Sequence, residues 1–410
     1  TKTGECGAVE AEMVAYLSGT NVTTGLYKVI SATANTIVFP AATFVEGDGW
    51  VDDLVCNVGG AFDTLENAID ETDATDNNVI IYTNKDEALS APIDLDGSWG
   101  SEANGTYKRV KGFTTLPEDT GKATYTDAGP SAAGFIMGAI KNCIMENLIV
   151  DGTFSGAWSN WYIVDSGAQH IRIINCEAHN AAASGFLIGR GYDIVLIDCV
   201  SSASTLYGFR VYFSSSSVQG TFINCIAYDN TRNGFQLGGE ISSVAIGCVA
   251  YGNGGTTYSG FLVIGASGHA SGCYNCVSYN NGLHGFELNN ASAFAINCIA
   301  SGNGPASGSS YGFFNVAATG TWAVPVVMNC CAYDNSNNAS PGTQNYSLVL
   351  PERDSIEVDP LFVDAAGDDF RLLPGSPCLN TGKRTLGDGY ASMGAWQQKQ
   401  RGSIIGAQNV

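Results

Sequence analysis

Two short motifs alternate strictly along the middle of the chain, and they limit it to a stack of similar coils. The first places a polar residue before a cysteine, as in Lys141-Asn142-Cys143, Ile174-Asn175-Cys176, Ile197-Asp198-Cys199 and Ile223-Asn224-Cys225. It recurs as Ile246-Gly247-Cys248, Tyr274-Asn275-Cys276, Ile296-Asn297-Cys298 and Met328-Asn329-Cys330, with steps of 33, 23, 26, 23, 28, 22 and 32 residues. The second is Gly-Phe, ending on Phe186, Phe209, Phe235, Phe261, Phe286 and Phe313, with steps of 23, 26, 26, 25 and 27. A shared period of this length, in short β-rich pieces, excludes helical arrays and points to a solenoid.

The Gly-Phe segment shows its pleat. Two residues past each Phe stand Ile188, Val211, Leu237, Val263 and Leu288, all aliphatic; one residue past stand Leu187, Arg210, Gln236, Leu262 and Glu287, a mixed set. That is strand alternation with one face buried. The fold class expected is therefore all-β, a parallel β-helix. Cysteine at one interior position per coil acts as a small buried hydrophobe. Five residues past the cysteines stand Asn230, Asn253, Asn281, Asn303 and Asn335, whose amides suit a coil corner. These cysteine, phenylalanine and asparagine rows are read as structural ladders. Thirteen cysteines cannot all pair, and their periodic placement argues for buried thiols over a disulfide framework.

The chain carries 39 acidic against 18 basic residues, a net charge of −21. Such a surface repels phosphate backbones, so no nucleic-acid partner is expected. No apolar run is long enough to span a membrane, and the opening residues do not read as a signal peptide.

The ends differ from the middle. Strand-like runs at 15–20, 25–30 and 36–40 suggest a small N-terminal β module over residues 1–57, serving docking or assembly. Phe62 to Ile69 reads as a short amphipathic capping helix, with Asp63 as its cap. Residues 58–138 then hold the cap and early coils, 139–338 the regular coils, and 339–410 a C-terminal coil, cap and tail. A right-handed stack is implied by a resemblance at the C-terminal side. Asp359-Pro360-Leu361-Phe362, then Arg371-Leu372-Leu373-Pro374-Gly375-Ser376-Pro377 and Gly394-Ala395-Trp396, resemble the closing segment of right-handed parallel β-helix proteins of the pectate-lyase-like superfold. With the Asn-Cys coils, the likeness covers about residues 56–396. That group includes polysaccharide lyases and hydrolases, surface proteins and phage virion components. The opening strands, with Leu17 to Gly25, resemble modules that precede β-helices in phage structural proteins.

No catalytic motif of those enzymes is matched. Arg210 and Glu287 lie three coils apart, roughly 14 Å, too far for a catalytic pair. His170, His179, His269 and His284 occupy different coil positions and do not form a metal cluster, and no cofactor is expected. Ca²⁺ at the acidic stretch Asp364 to Asp369 is the one exception considered, with a solvated turn the simpler account. The reading is a non-enzymatic structural or receptor-contact protein, a virion component such as a tail, fibre, spike or head-decoration subunit. It would be virion-borne or extracellular, an oligomer or assembly subunit joined to virion proteins or sister copies through the N-terminal module. A cell-surface glycan would meet the outward row at Arg210, Tyr212, Gln236 and Glu287. The alternatives are a secreted polysaccharide lyase or hydrolase, and a bacterial surface adhesin.

Overall fold

In the computed structural model each coil lays down three short strands separated by sharp corners. The structure describes residues 14–18, 25–28, 31–33, 36–38, 55–58, 65–70 and most of 80–395. Left out of that last stretch are 84–85, 90, 96–107, 115–119, 128–133, 153–158, 213–217, 239–241, 266–267, 291, 306–309, 317–324, 336–344, 348–353 and 384–389. The strands stack into three parallel sheets of ten strands each. In chain order within a coil they are called sheet 1 (for example Gln169–Ile174), sheet 2 (Glu177–His179) and sheet 3 (Phe186–Ile188). The registers are continuous from coil to coil. The protein is thus an all-β parallel solenoid.

The corners explain the polar residue before each cysteine. Asn175, Asp198, Asn224, Asn275, Asn297 and Asn329 all have φ between 51° and 56°, and Gly247 has φ of 64° at the equivalent place. This left-handed kink, which Asn, Asp and Gly tolerate best, turns the chain from sheet 1 into sheet 2. A second kink of the same kind, at Asn180, Asp229, Asn280 or Asp334, ends the sheet 2 strand.

The interior is built of rows. Cys176, Cys199, Cys225, Cys248, Cys276, Cys298 and Cys330 are fully buried and unpaired. Each thiol has two carbonyls in reach as acceptors for its single hydrogen, one two residues before it and one in the preceding coil, as Cys225 has Ile223 and Leu196. Burial pushes these thiols of Cys176, Cys199, Cys225 and Cys248 well above their ordinary pKa, so they stay protonated. Cys143 is a correction to the expected ladder. It is buried, but it pairs with Ile171 inside sheet 1, and Leu148, after the Asn147 corner, holds the position equivalent to Cys176. The 33-residue step had already set it apart from most of the others.

Phe186, Phe209, Phe235, Phe261, Phe286 and Phe313 stack with ring centroids 4.8 to 5.0 Å apart. Phe135 and Trp161 extend the stack at one end and Tyr346 at the other. Beside it runs the asparagine ladder. The Asn230 amide donates to Asn253 at 2.9 Å, Asn253 to Asn281 and Asn281 to Asn303 at 3.0 Å, and Asn303 to Asn335 at 2.8 Å. All five are buried, and the same amides reach backbone carbonyls of the preceding coil, so no donor is stranded. The ladder accounts for the glycine of the Gly-Phe motif: a Cβ on Gly234 would lie 2.9 Å from the Asn253 amide nitrogen.

At the N-terminal side, Val14–Ser18 pairs antiparallel with both Gly25–Lys28 and Val55–Val58. Among the described residues the helix spans Leu65–Asp70, and Leu65, Ala68 and Ile69 are buried, with contacts to the first coil. The expected Asp63 cap lies outside the described residues. At the other end Ile356 continues sheet 2 beside Cys331. The hairpin of Phe362–Asp364 and Asp369–Leu372 follows. With Cys378 and Met393 it turns back along the outside of sheet 2 and buries Val249, Val277, Ile299 and Cys331. Gly394 makes that approach possible: its N–H donates to the Asn297 carbonyl, and a Cβ there would stand 2.6 Å from Ile299. In the acidic stretch, Asp364 accepts from the Gly367 N–H and Asp369 pairs with Arg371.

Candidate functional site: the exterior of sheet 3

Sheet 3 presents one outward residue per coil. In register these are Tyr162, Leu187, Arg210, Gln236, Leu262, Glu287 and Phe314. Strand alternation puts them outside because Phe and the aliphatic residue two further on are held inside. A shallow cleft of about 240 Å³ opens on this face, lined by Tyr162, Leu187, Arg190, Arg210 and Tyr212 among others.

Arginine and tyrosine dominate the cleft and its upstream rim. The Arg210 guanidinium lies 4.7 Å from the centre of the Tyr207 ring and 4.9 Å from that of Tyr212. Arg232 lies 5.6 Å from Tyr207 and 5.4 Å from Tyr258, and donates to the Tyr207 hydroxyl at 3.3 Å. Its pKa is raised, chiefly by that hydrogen bond. Ring faces hold a cation in place without cancelling its charge. Among the described residues no carboxylate forms a salt bridge with Arg190, Arg210 or Arg232. The result is a local patch of positive charge on a chain of net charge −21. At physiological salt, fields fade within about 8 Å, so at the cleft the arginines that line it outweigh carboxylates beyond that distance.

Further along the row the chemistry changes. Glu287 accepts from the Ser259 hydroxyl at 2.8 Å, and burial raises its pKa. Next to it His284 is 5% exposed and stacks 4.2 Å from Phe314. Its Nδ1 accepts from the Tyr311 N–H at 3.1 Å, and burial pulls its pKa down to about 4. His284 is therefore neutral near pH 7. Of the four residues expected on this face, Arg210 and Tyr212 come together in the cleft. Glu287 stands three rungs from Arg210. Gln236 departs from expectation: it lies between the Arg210 and Leu262 rungs and is only 2% exposed, so it is not a ligand-facing group. Sequence reasoning missed Tyr162, Arg190, Tyr207, Arg232 and Tyr258. Of these only Tyr162 holds the outward strand position; the rest sit in turns, where residue types do not repeat.

Comparison with known proteins agrees with this architecture. Residues 161–331 match the family model described as a right handed beta helix region. No curated protein sequence matches the chain. The structure is similar to that of a pectate lyase, Pel9A, at 13% identity and a TM-score of 0.56, over 82% of this chain and 91% of that one. It is also similar to the Azotobacter vinelandii mannuronan C-5 epimerase AlgE4 A-module, at 20% identity and a TM-score of 0.42, over 63% of this chain and 69% of that one. A third similarity is to tailspike protein 3 of bacteriophage CBA120, at 10% identity and a TM-score of 0.33, over 76% of this chain and 64% of that one. Among the described residues no helix is long and apolar enough to cross a membrane, and no cluster of His, Cys, Asp and Glu could hold a metal ion. The chain is a right-handed parallel β-helix protein.

Proposed function

We propose that the protein is a rigid, non-enzymatic receptor-contact protein that holds an acidic glycan against the exterior of sheet 3. The observation that carries this is the pair Arg210 and Arg232 held against tyrosine rings, with Arg190 also lining the cleft, on an otherwise acidic chain. Flat aromatic faces pack against sugar rings, and guanidinium groups form paired hydrogen bonds with carboxylates. A solenoid holds such groups on successive coils of one rigid face, which suits a chain ligand. In this reading the protein is a virion component, such as a tail, fibre, spike or head-decoration subunit, or else an extracellular adhesin. Residues 1–57 dock it onto other virion proteins or sister copies. The test is a panel of polysaccharides, with polygalacturonate, alginate and a sialylated glycan beside neutral glucans. Binding to acidic members without new reducing ends or unsaturated sugars supports the reading; binding confined to neutral members contradicts it.

A second reading, a polysaccharide lyase or hydrolase, is favoured by one observation. Glu287 is half-buried with a raised pKa, as a general acid requires. The same panel decides: cleavage products that vanish in Glu287→Gln would replace the first reading with the second.

A further inference from the structure

Sheet 1 also places side chains outside, and here both exterior rows are apolar. One row runs through Ile174, Ile197, Ile223, Ile246, Tyr274 and Ile296 in register. Beside it, Val195, Thr221 and Val244 lead to Phe294 and Val326. Phe294 lies flat over Gly272, where a Cβ would come within 2.4 Å of its ring. Ile246 and Val326 are each 38% exposed. From Val195 to Val326 neither row contains a charged residue. The first coils of the same sheet are different: Arg109 pairs with Glu146, and Arg172 with Asp193.

We infer that this face is a self-association surface, occupied by the same face of a second copy of the chain. Three observations support that occupant. First, sheet 2 also has an apolar exterior row, and the chain covers it with its own C-terminal segment. Among the described residues no buried cluster forms over the exterior of sheet 1. Second, two copies of charge −21 repel, and two rows that carry no carboxylate lower the cost of approach on this face. Third, the rows repeat at the strand spacing of about 4.8 Å over roughly 24 Å. A second stack of the same spacing matches that repeat rung for rung, as facing sheets do when their side chains interdigitate. A two-fold contact of this kind is self-complementary and closes. Two such narrow strips bury less than the about 1,600 Å² of a standard stable interface, so the dimer is reversible.

Sedimentation of the full chain over about 1 to 100 µM tests this, the range in which so small an interface should titrate. The expected result is a concentration-dependent shift from monomer to dimer, stronger in high salt because repulsion is screened. Ile246→Lys and, separately, Val326→Lys should remain monomeric with unchanged circular dichroism and melting, while Ile246→Val still dimerises. A chain monomeric throughout, a dimer weakened by salt, or a dimer that persists in both lysine variants would overturn the inference. So would a monomer whose face binds an apolar dye, a signal lost in Ile246→Lys, because the face would then belong to another partner. Glycan binding at sheet 3 is read separately, so either idea can fail without the other.

Discussion

Sheets 1 and 2 carry the same kind of apolar exterior, yet among the described residues only that of sheet 2 is covered. On sheet 2 the row of Val249, Val277, Ile299 and Cys331 is closed over by Phe370, Cys378 and Met393. On sheet 1 the isoleucine row stays partly exposed along its length. The difference is one of chain supply. A solenoid buries its interior coil by coil, but an exterior face is buried only when something outside the repeat lies on it. The C-terminal segment does this for one sheet, and the energetic character of the two faces follows.

The sharpest way to break the comparison is to substitute one residue on each. Phe370 is 1% exposed and touches Tyr251 and Tyr279, so Phe370→Ala should cost about 3–5 kcal/mol and lower the melting temperature clearly. Ile246→Ala on sheet 1 should change stability by only about 0.5 kcal/mol in the monomer. Equal losses in denaturant titrations would mean that the two exteriors are equally packed.

A smaller effect is expected inside. Asn281→Ala removes the acceptor that takes both the backbone N–H and the side-chain amide of Asn253. Leaving buried donors unpaired should cost roughly 1–3 kcal/mol, shared by neighbouring coils. Urea unfolding followed by circular dichroism measures it. A neutral result would mean that water replaces the lost amide.

Acid should reveal where the charged first coils differ from the apolar later ones. Glu177, on the exterior of sheet 2, accepts from His179 at 2.7 Å and from Lys122 at 2.7 Å. The His179 hydrogen bond is the main cause that brings the Glu177 pKa down to about 2 from 4.5. A carboxylate depressed in the folded state stabilises above its unfolded pKa, and that stability is lost as pH falls from about 4.5 towards 2. His284 acts at higher pH. Buried with a pKa of about 4 against 6.5, it resists protonation in the fold, so stability declines as pH falls through that interval. Melting curves at a series of pH values should show both slopes. Glu177→Gln should flatten the lower one, and a slope unchanged in that variant would contradict the assignment.

The interior rows were legible in the sequence because one residue type fills one position in successive coils. Phe235 and Asn281 need no structure to be recognised as ladder members. Cys143 shows the limit: an identical Asn-Cys pair occurs one corner early, inside a strand, and only the register separates it from Cys176. The exterior was much less legible. Ile246 precedes its corner as regularly as Cys248 follows it, but periodicity alone does not say which face is covered. Arg232 and Tyr258 meet only because turns of adjacent coils stack. The C-terminal motif was recognisable as a closing segment, while its path along sheet 2 depends on contacts as far as 119 residues away, between Tyr251 and Phe370, which no local pattern encodes.

The most direct test of the glycan-contact account is calorimetric titration of the full chain with an acidic oligosaccharide that the panel has identified, at low and at high salt, beside Arg210→Ala. Loss of one charge-assisted contact should weaken binding by roughly ten-fold or more, while melting shifts little. Binding to the unaltered chain should fall with added salt, and the oligosaccharide should be recovered intact. Equal affinity in Arg210→Ala, indifference to salt, or recovery of a shortened sugar would contradict it.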